Sequence, residues 1–377
     1  MSVLEETGIK LTATPVEIRD RRSGTPPPQH SATNGISIIQ YDAALELILG
    51  PTPTHALVLS SAETSANPFF YRGCIYVPSR NELWTTSAPL PASDPTQPPV
   101  ILMSKVIVTH NSANDTLTAE WAKLRPPPEM KMPASGCIVG DDRMIWCSQG
   151  TMAPQTGGVF FMHAGRRPQV VASTYYGREF NSPHSAAVSI QGDGVWFTDP
   201  CVGHEQDFRS PPQLPPQIYR CDVKTGEVRA MADGFVRPTG IAIDNDSSTL
   251  YVADSGGVRV DGSLDLNQPR SIYAFDMVKR GEAVFLTNRR TFALARRGVP
   301  MHLICENGNV WAACGDGVEI WNNGGSLLGV IQVPGGVLSF CRGPEDSVYL
   351  CAGQKLWRLQ LSGGQAEHSA SSSPELL

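Results

Sequence analysis

Arg72, His184, Thr239 and Met301, the last followed by His302, each stand at the head of a short run of β-branched, aromatic or small apolar residues. A strand built from such a run would present them at its mouth. Arginine keeps its charge at every working pH and offers five donors in a rigid fork, so Arg72 can grip a carbonyl, enolate or tropolonate oxygen. His184 can donate to a neighbouring oxygen or take its proton. Met301, Tyr71, Phe70 and Phe208 would supply adaptable apolar walls. Polarising one oxygen while confining an apolar reactant suits additions and cyclisations, where orientation is a large part of the barrier. Each residue also has a plainer reading. Arg72 could be a structural cation paired with Asp254, His184 a hydrogen-bonded strand-end histidine, and Thr239 and Met301 mere shapers of a pocket. His302 is expected to point away from Met301, because neighbours on a strand alternate. Asp199 in FTDP and Asp254 in VADSG sit at strand ends, where Asp commonly fixes a turn. His204 and Phe208, on the loop after FTDP, could cover a pocket mouth.

Residues so far apart in sequence converge only if their strands surround a common axis. The chain supplies such strands. Its 377 residues include 35 Gly and 31 Pro with only 18% charged residues, a composition of many tight turns and few long solvent-facing helices. Short apolar runs alternate with Gly/Asn/Asp/Pro turns throughout: GCIYVP and ELWTTS, GCIVG and MIWCSQ, GIAID and TLYVADS, HLICE and NVWAAC. The hairpins group into six units whose inner strands begin near Arg72, Ser135, His184, Thr239, Met301 and Gly336. Four-stranded antiparallel units repeating radially predict an all-β, six-bladed β-propeller over 36–361. The last unit is short of strands, so HALVLSS (55–61) is expected to complete it and close the ring. A two-domain β-sandwich is the alternative. Residues 1–35 and 362–377 read as flexible tails, and Tyr41–Leu49 as a short helix stopped by Gly50-Pro51.

Several function classes are excluded. There is no G-x-S-x-G elbow, no H-E-x-x-H (His204-Glu205 lacks the second His), no phosphate loop and no dinucleotide fingerprint. A net charge of −6 speaks against nucleic acid, and no apolar run approaches the ~18 residues of a membrane span. Nine cysteines include three pairs that bracket turns, Cys137/Cys147, Cys305/Cys314 and Cys341/Cys351; they read either as disulfides or as buried strand thiols. The opening residues lack a secretory layout, which favours the cytoplasm. Glycosylation triplets at Asn114 and Asn245 and the many cysteines keep a secretory route open. A closed ring has no edge that demands a partner, so a monomer or weak oligomer is expected.

The stretch from FNSPHSAAVSIQGDGVWFTDP through RPTGIAIDNDSSTLYVADSG looks very much like the senescence-marker-protein/gluconolactonase family, nearest to its fungal lactonohydrolase branch. SIIQYDAALELILGP and FFYRGCIYVPSRNELWTTS extend the similarity, which covers about residues 37–360. The resemblance implies the six-bladed propeller on its own account. It also implies a divalent ion, usually calcium, held by a Glu in the first blade and by Asn and Asp from three later blades. At the matching places this chain carries Tyr71-Arg72-Gly73, Pro183-His184-Ser185, Pro238-Thr239-Gly240 and Pro300-Met301-His302. A hard cation needs oxygen ligands, and a fixed guanidinium stands where the ion would sit. No metal or cofactor is therefore expected. Propellers of this kind without the metal resemble hetero-Diels–Alderases that join a tropolone-type ortho-quinone methide to a sesquiterpene alkene. The expected function is thus a metal-independent enzyme acting on a bulky polyketide or terpenoid intermediate. Arg72 and His184 would react, and Tyr71, Thr239, Met301, His204, Phe208 and Asp254 would bind substrate. Lactone hydrolysis is the alternative, and a non-catalytic ligand-binding propeller the second.

Overall fold

A computed structural model describes residues 3–21, 35–92, 94, 98–111, 116–189, 192 and 194–363. The chain folds as a six-bladed β-propeller of four-stranded antiparallel blades. The inner strands are Arg72–Val77, Pro133–Val139, Ala186–Val188, Pro238–Ile243, His302–Glu306 and Ser339–Arg342. Each blade then runs outward strand by strand; blade three, for example, continues through Gly194–Asp199, Gln217–Asp222 and Val228–Ala232. Tight turns make this pairing local. In blade five Asn307 and Gly308 both take positive φ (49° and 73°), the two-residue hairpin that Asn-Gly favours, and Glu306 faces Asn309 across it.

Alternation on the strands explains why they read as near-continuous apolar runs. In Gly194–Asp199, Val195 and Phe197 pack against blade two while Trp196 packs against blade four. In Arg143–Ser148, Met144 and Trp146 face blade one, and Ile145 and Cys147 face blade three. Both faces of each blade are thus interior. The core is a ring of apolar seams, one at each junction between neighbouring blades. A tryptophan recurs in the second strand of four blades (Trp84, Trp146, Trp196, Trp311), buried in every case.

Thr54–Ser60 pairs antiparallel with Lys355–Gln360, so an early strand completes the last blade and closes the ring, as expected from HALVLSS. The expectation of a flexible segment over 1–35 needs correction over residues 3–21, while residues 1–2 and 22–34 lie outside the described residues. Val3–Leu11 pairs with the outer strand Thr116–Leu124 of blade one, Thr14–Pro15 with blade six, and Glu17–Asp20 runs parallel to Ser37–Gln40 on blade five. The outermost strand of a blade leaves one row of backbone donors and acceptors unpaired, and an extended polar chain can satisfy them without entering the core. Residues 364–377 and Asn114 lie outside the described residues, while Asn245 is exposed in the turn joining Pro238–Ile243 to Thr249–Asp254. The expected helix is present over Ala44–Leu49 and ends at Gly50 (φ 76°).

All nine cysteines are free thiols. Cys137 faces Ile145, Cys305 faces Val310 and Cys341 faces Tyr349, so none of the three sequence pairs sits on a shared rung. The plainer of the two readings holds: they fill the seams as small apolar groups. The closest pair spans the ring closure instead, with Cys74 Sγ lying 3.3 Å from Cys341 Sγ. No helix among the described residues is long and apolar enough to cross a membrane.

Candidate active site on the ring axis

One end of the axis opens into a cavity of about 550 Å³. Tyr71, Arg72 and Met301 reach it from the mouths of inner strands, and Val202, Glu205 and Gln206 from the short helix and turn after FTDP. Arg237 arrives from the approach to blade four, and Val258, Arg259 and Val260 from the loop beyond its second strand. Arg297 and Val299 come from the approach to blade five, and Val337 and Leu338 from that to blade six.

Local backbone geometry aims Arg72. Gly73 takes φ 63°, and the pairing register with Glu82–Thr86 slips between Arg72 and Ile75. A Cβ on Gly73 would approach the Trp146 ring to 2.8 Å and the Ala134 carbonyl to 2.9 Å, so blade two closes on this residue only because it is glycine. The slip turns Arg72 out of the blade seam and into the cavity. Its guanidinium stands 5.3 Å from the centre of the Tyr71 ring, and its Nε–H is buried with no partner. Asp254 does not pair with it. The Asp254 carboxylate accepts backbone N–H bonds from Val236 (2.9 Å), Arg237 (2.8 Å) and Gly256 (3.1 Å), which fixes the turn carrying Arg237. Asp199 does the same for Asn181 and Ser182.

His184 is 2% exposed and does not line the cavity. Its Nδ1 lies 2.9 Å from the Thr239 carbonyl. A carbonyl can only accept, so that nitrogen carries the proton and buried Nε2 is left as a bare acceptor without a partner. Burial first, and the charge of Arg72 second, hold its pKa well below the usual imidazole range. The ring is neutral and a weak base. Thr239 presents an unpartnered buried hydroxyl, as does Ser135 of blade two. Buried polar groups without partners therefore stand at the heads of three inner strands.

The structure brings Tyr71, Arg72 and Met301 together in one cavity, with His184 and Thr239 directly behind. Strand alternation separates Met301 from His302, which lines a cavity at the opposite end of the channel. Phe70 is fully buried in the seam between blades six and one, and so is no cavity wall. Three expected binding residues lie elsewhere. Asp254 caps its turn. Phe208 is 1% exposed and packs on Ile101 and Met132. His204 points to solvent because its helix turns Val202 and Glu205 inward instead. Sequence reasoning missed Glu205, Arg237, Arg259 and Arg297. Arg237 directly precedes the Pro-Thr-Gly motif, a local signal that was there to be used; Arg259 and Arg297 sit on connections with no periodic pattern.

Residues 101–354 match the family described as SMP-30/Gluconolactonase/LRE-like region. The chain belongs to that family. Among its relatives, lactonohydrolase oryL of Aspergillus oryzae is 25% identical over 327 residues, covering 79% of this chain and 68% of that protein. A gluconolactonase of Zymomonas mobilis is 29% identical over 239 residues, 57% of this chain and 59% of that protein. The solved gluconolactonase XC5397 of Xanthomonas campestris superposes with a TM-score of 0.64 at 21% identity, covering 96% of this chain and all of that one, which bears on the fold. The Aspergillus and Zymomonas relatives are named for lactone hydrolysis, and these two favour the hydrolase alternative over the addition reaction.

The divalent ion that family resemblance implies does not fit the residues on the axis. Arg72, His184, Thr239 and Met301 offer a guanidinium, an imidazole, a hydroxyl and a thioether. Hard cations take six to eight oxygens, typically with carboxylates among them. Among the described residues no three His, Cys, Asp or Glu side chains gather into a metal-binding group. The permanent positive charge of Arg72, which reaches His184, would also repel a cation placed between them.

Proposed function

We propose that the protein is a ring-opening hydrolase of the lactonohydrolase type in which the Arg72 guanidinium takes the electrophilic role. The observation that carries this reading is the presence of Arg72 and one carboxylate, Glu205, in a single axial cavity. The guanidinium donates to the lactone carbonyl and stabilises the oxyanion as it forms, an interaction that strengthens toward the transition state. Glu205, held 2.6 Å from Arg237 Nη2, accepts a proton from the attacking water. The water oxygen bonds to the carbonyl carbon, the ring C–O bond breaks, and the departing alkoxide recovers the proton to give a hydroxy acid. His184 serves by position: its carbonyl tether to Thr239 and its neutrality leave the Arg72 charge undivided.

The test is acid release from a panel of alkyl- and aryl-substituted γ- and δ-lactones, with chelator and with added calcium. Hydrolysis that ignores both supports the reading. Activity removed by chelator and restored by calcium overturns the role given to Arg72. A second reading, addition or cyclisation of a bulky intermediate such as a hetero-Diels–Alder reaction, is favoured by the apolar share of the lining (Val202, Val260, Val299, Met301 and Val337). Lactones left intact while a diene and an alkene are joined would select it.

A further inference from the structure

Four arginines line the axial cavity, Arg259 and Arg297 at its exposed rim, in a chain whose net charge is −6. Two of them are neutralised where they stand. Arg237 pairs with Glu205 at 2.6 Å and donates to the Val258 carbonyl; Arg259 pairs with Asp265 at 2.8 Å. Among the described residues no carboxylate lies within ion-pair distance of the other two, Arg72 and Arg297. The backbone that presents Arg297 is pinned. The buried Glu319 carboxylate accepts the N–H of Arg296 at 3.0 and 2.9 Å and that of Arg297 at 3.3 Å, while the Arg296 side chain is taken by Asp316. Gly298 follows at φ 66°, packed so closely that an added Cβ would meet the Gly315 Cα at 2.9 Å. Glu319 thus spends its acceptors on main chain, and Arg297, an exposed residue whose charge reaches Asp316 only from beyond ion-pair distance, keeps an unpaired guanidinium at the cavity rim.

Resting on the ring-opening reading above, we infer that the substrate is an acid: a lactone bearing a carboxylate, with its carbonyl at Arg72 and its carboxylate on Arg297. Two arginines without an ion-pair partner at one partly enclosed cavity favour a ligand that brings negative charge, and the planar fork of arginine matches a carboxylate with two parallel hydrogen bonds. The apolar walls take the body of the molecule. Arg297 is then a specificity-determining residue for the acid over its neutral analogues.

The experiment compares γ-butyrolactone-γ-carboxylate with its methyl ester, and cyclopentanecarboxylate with cyclopentanecarboxamide as ligands that cannot be hydrolysed. Wild type should prefer the acid lactone in kcat/KM and bind cyclopentanecarboxylate more tightly than the amide. In Arg297→Gln both preferences should fall about ten- to a hundredfold, toward unity, on the scale of one lost charge-assisted pair. The remote surface change Arg166→Gln should leave both preferences as they were. Equal binding of acid and amide by wild type, or preferences untouched in Arg297→Gln, overturns the inference. Failure of both lactones to react while the binding preference persists would instead count against ring opening and leave the acid site standing.

Discussion

Replacing Arg72 with methionine should lower activity and raise stability together. The side chain is half-buried, its Nε–H has no partner, and no carboxylate compensates its charge. An unsatisfied buried donor costs about 1–3 kcal/mol. Methionine keeps most of the aliphatic volume and removes that cost, so Arg72→Met is expected to be more stable by about 1 kcal/mol after allowing for relaxation of the arginine toward solvent. For a chain of this size that is a rise in Tm of about 1–2 °C. Loss of one preorganised donor to a forming oxyanion costs about 10²–10³ in kcat, or roughly 3–4 kcal/mol. Arg72→Lys, which retains the charge without the fork, should recover part of the rate. Urea melts and initial rates of lactone opening measure both halves. If Arg72→Met were destabilised by more than 1 kcal/mol, the arginine would be a structural cation after all and the functional argument would fail.

Further outcomes follow from the same geometry. Gly73→Ala imposes a side chain at φ 63° and against the Trp146 ring, and should cost about 2–3 kcal/mol by urea denaturation. His302 is pushed down to about 4 by burial, so the unfolded chain binds the extra proton between about pH 4 and 6.5. The contribution of His302 to stability therefore rises with pH across that window, and His302→Gln should remove that contribution, up to roughly 3 kcal/mol relative to wild type. Burial raises Asp199 and Glu319 to about 7 each, which acts the other way: their contribution is present below the unfolded carboxylate pKa and is lost as pH climbs through neutrality. Thiol titration in denaturant without reductant should count nine free cysteines; fewer would mean that a disulfide forms after all.

The fold was legible in the sequence because propeller blades are made of local contacts. Most adjacent strands pair through turns of a few residues, marked by turn chemistry such as Asn307-Gly308, although longer loops join the second and third strands of blades one, three and four. Ring closure was legible too, since blade six visibly lacked a strand. The strap over Val3–Leu11 and Glu17–Asp20 was not, because it binds through backbone groups of blades distant in sequence and needs no apolar pattern. The site divides along the same line. Arg72 and Met301 occupy strand mouths, positions that the repeat itself counts out. Phe208 and His204 were misplaced because loop side chains obey no period, and which face of the short helix turns inward depends on Val202 seeking the cavity wall. Arg259 and Arg297 sit on connections of two different blades and reach the same cavity only through tertiary packing.

The distribution of polar and apolar groups separates what holds this propeller together from what it is for. Seams between blades are filled with apolar side chains, and their polar atoms are mostly main chain already paired within strands. In the seams the unpartnered buried atoms are tips of bulky packing residues, such as Trp146 Nε1, Trp196 Nε1 and Tyr219 Oη, whereas at the mouths of the inner strands Arg72 Nε, His184 Nε2, Ser135 Oγ and Thr239 Oγ1 belong to polar side chains that bring little packing with them. Each such group costs about 1–3 kcal/mol that a valine or leucine there would not. A fold that needed the axis only as packing would have no physical reason to keep them, and sites where local rules of stability fail are commonly sites of function. The seams can absorb the penalty because they do not pass through the axis, so the axial side chains are free to change without unsealing the ring. That freedom explains how a propeller scaffold can carry a guanidinium on its axis while its blades stay recognisable as the family's from residue 101 to 354.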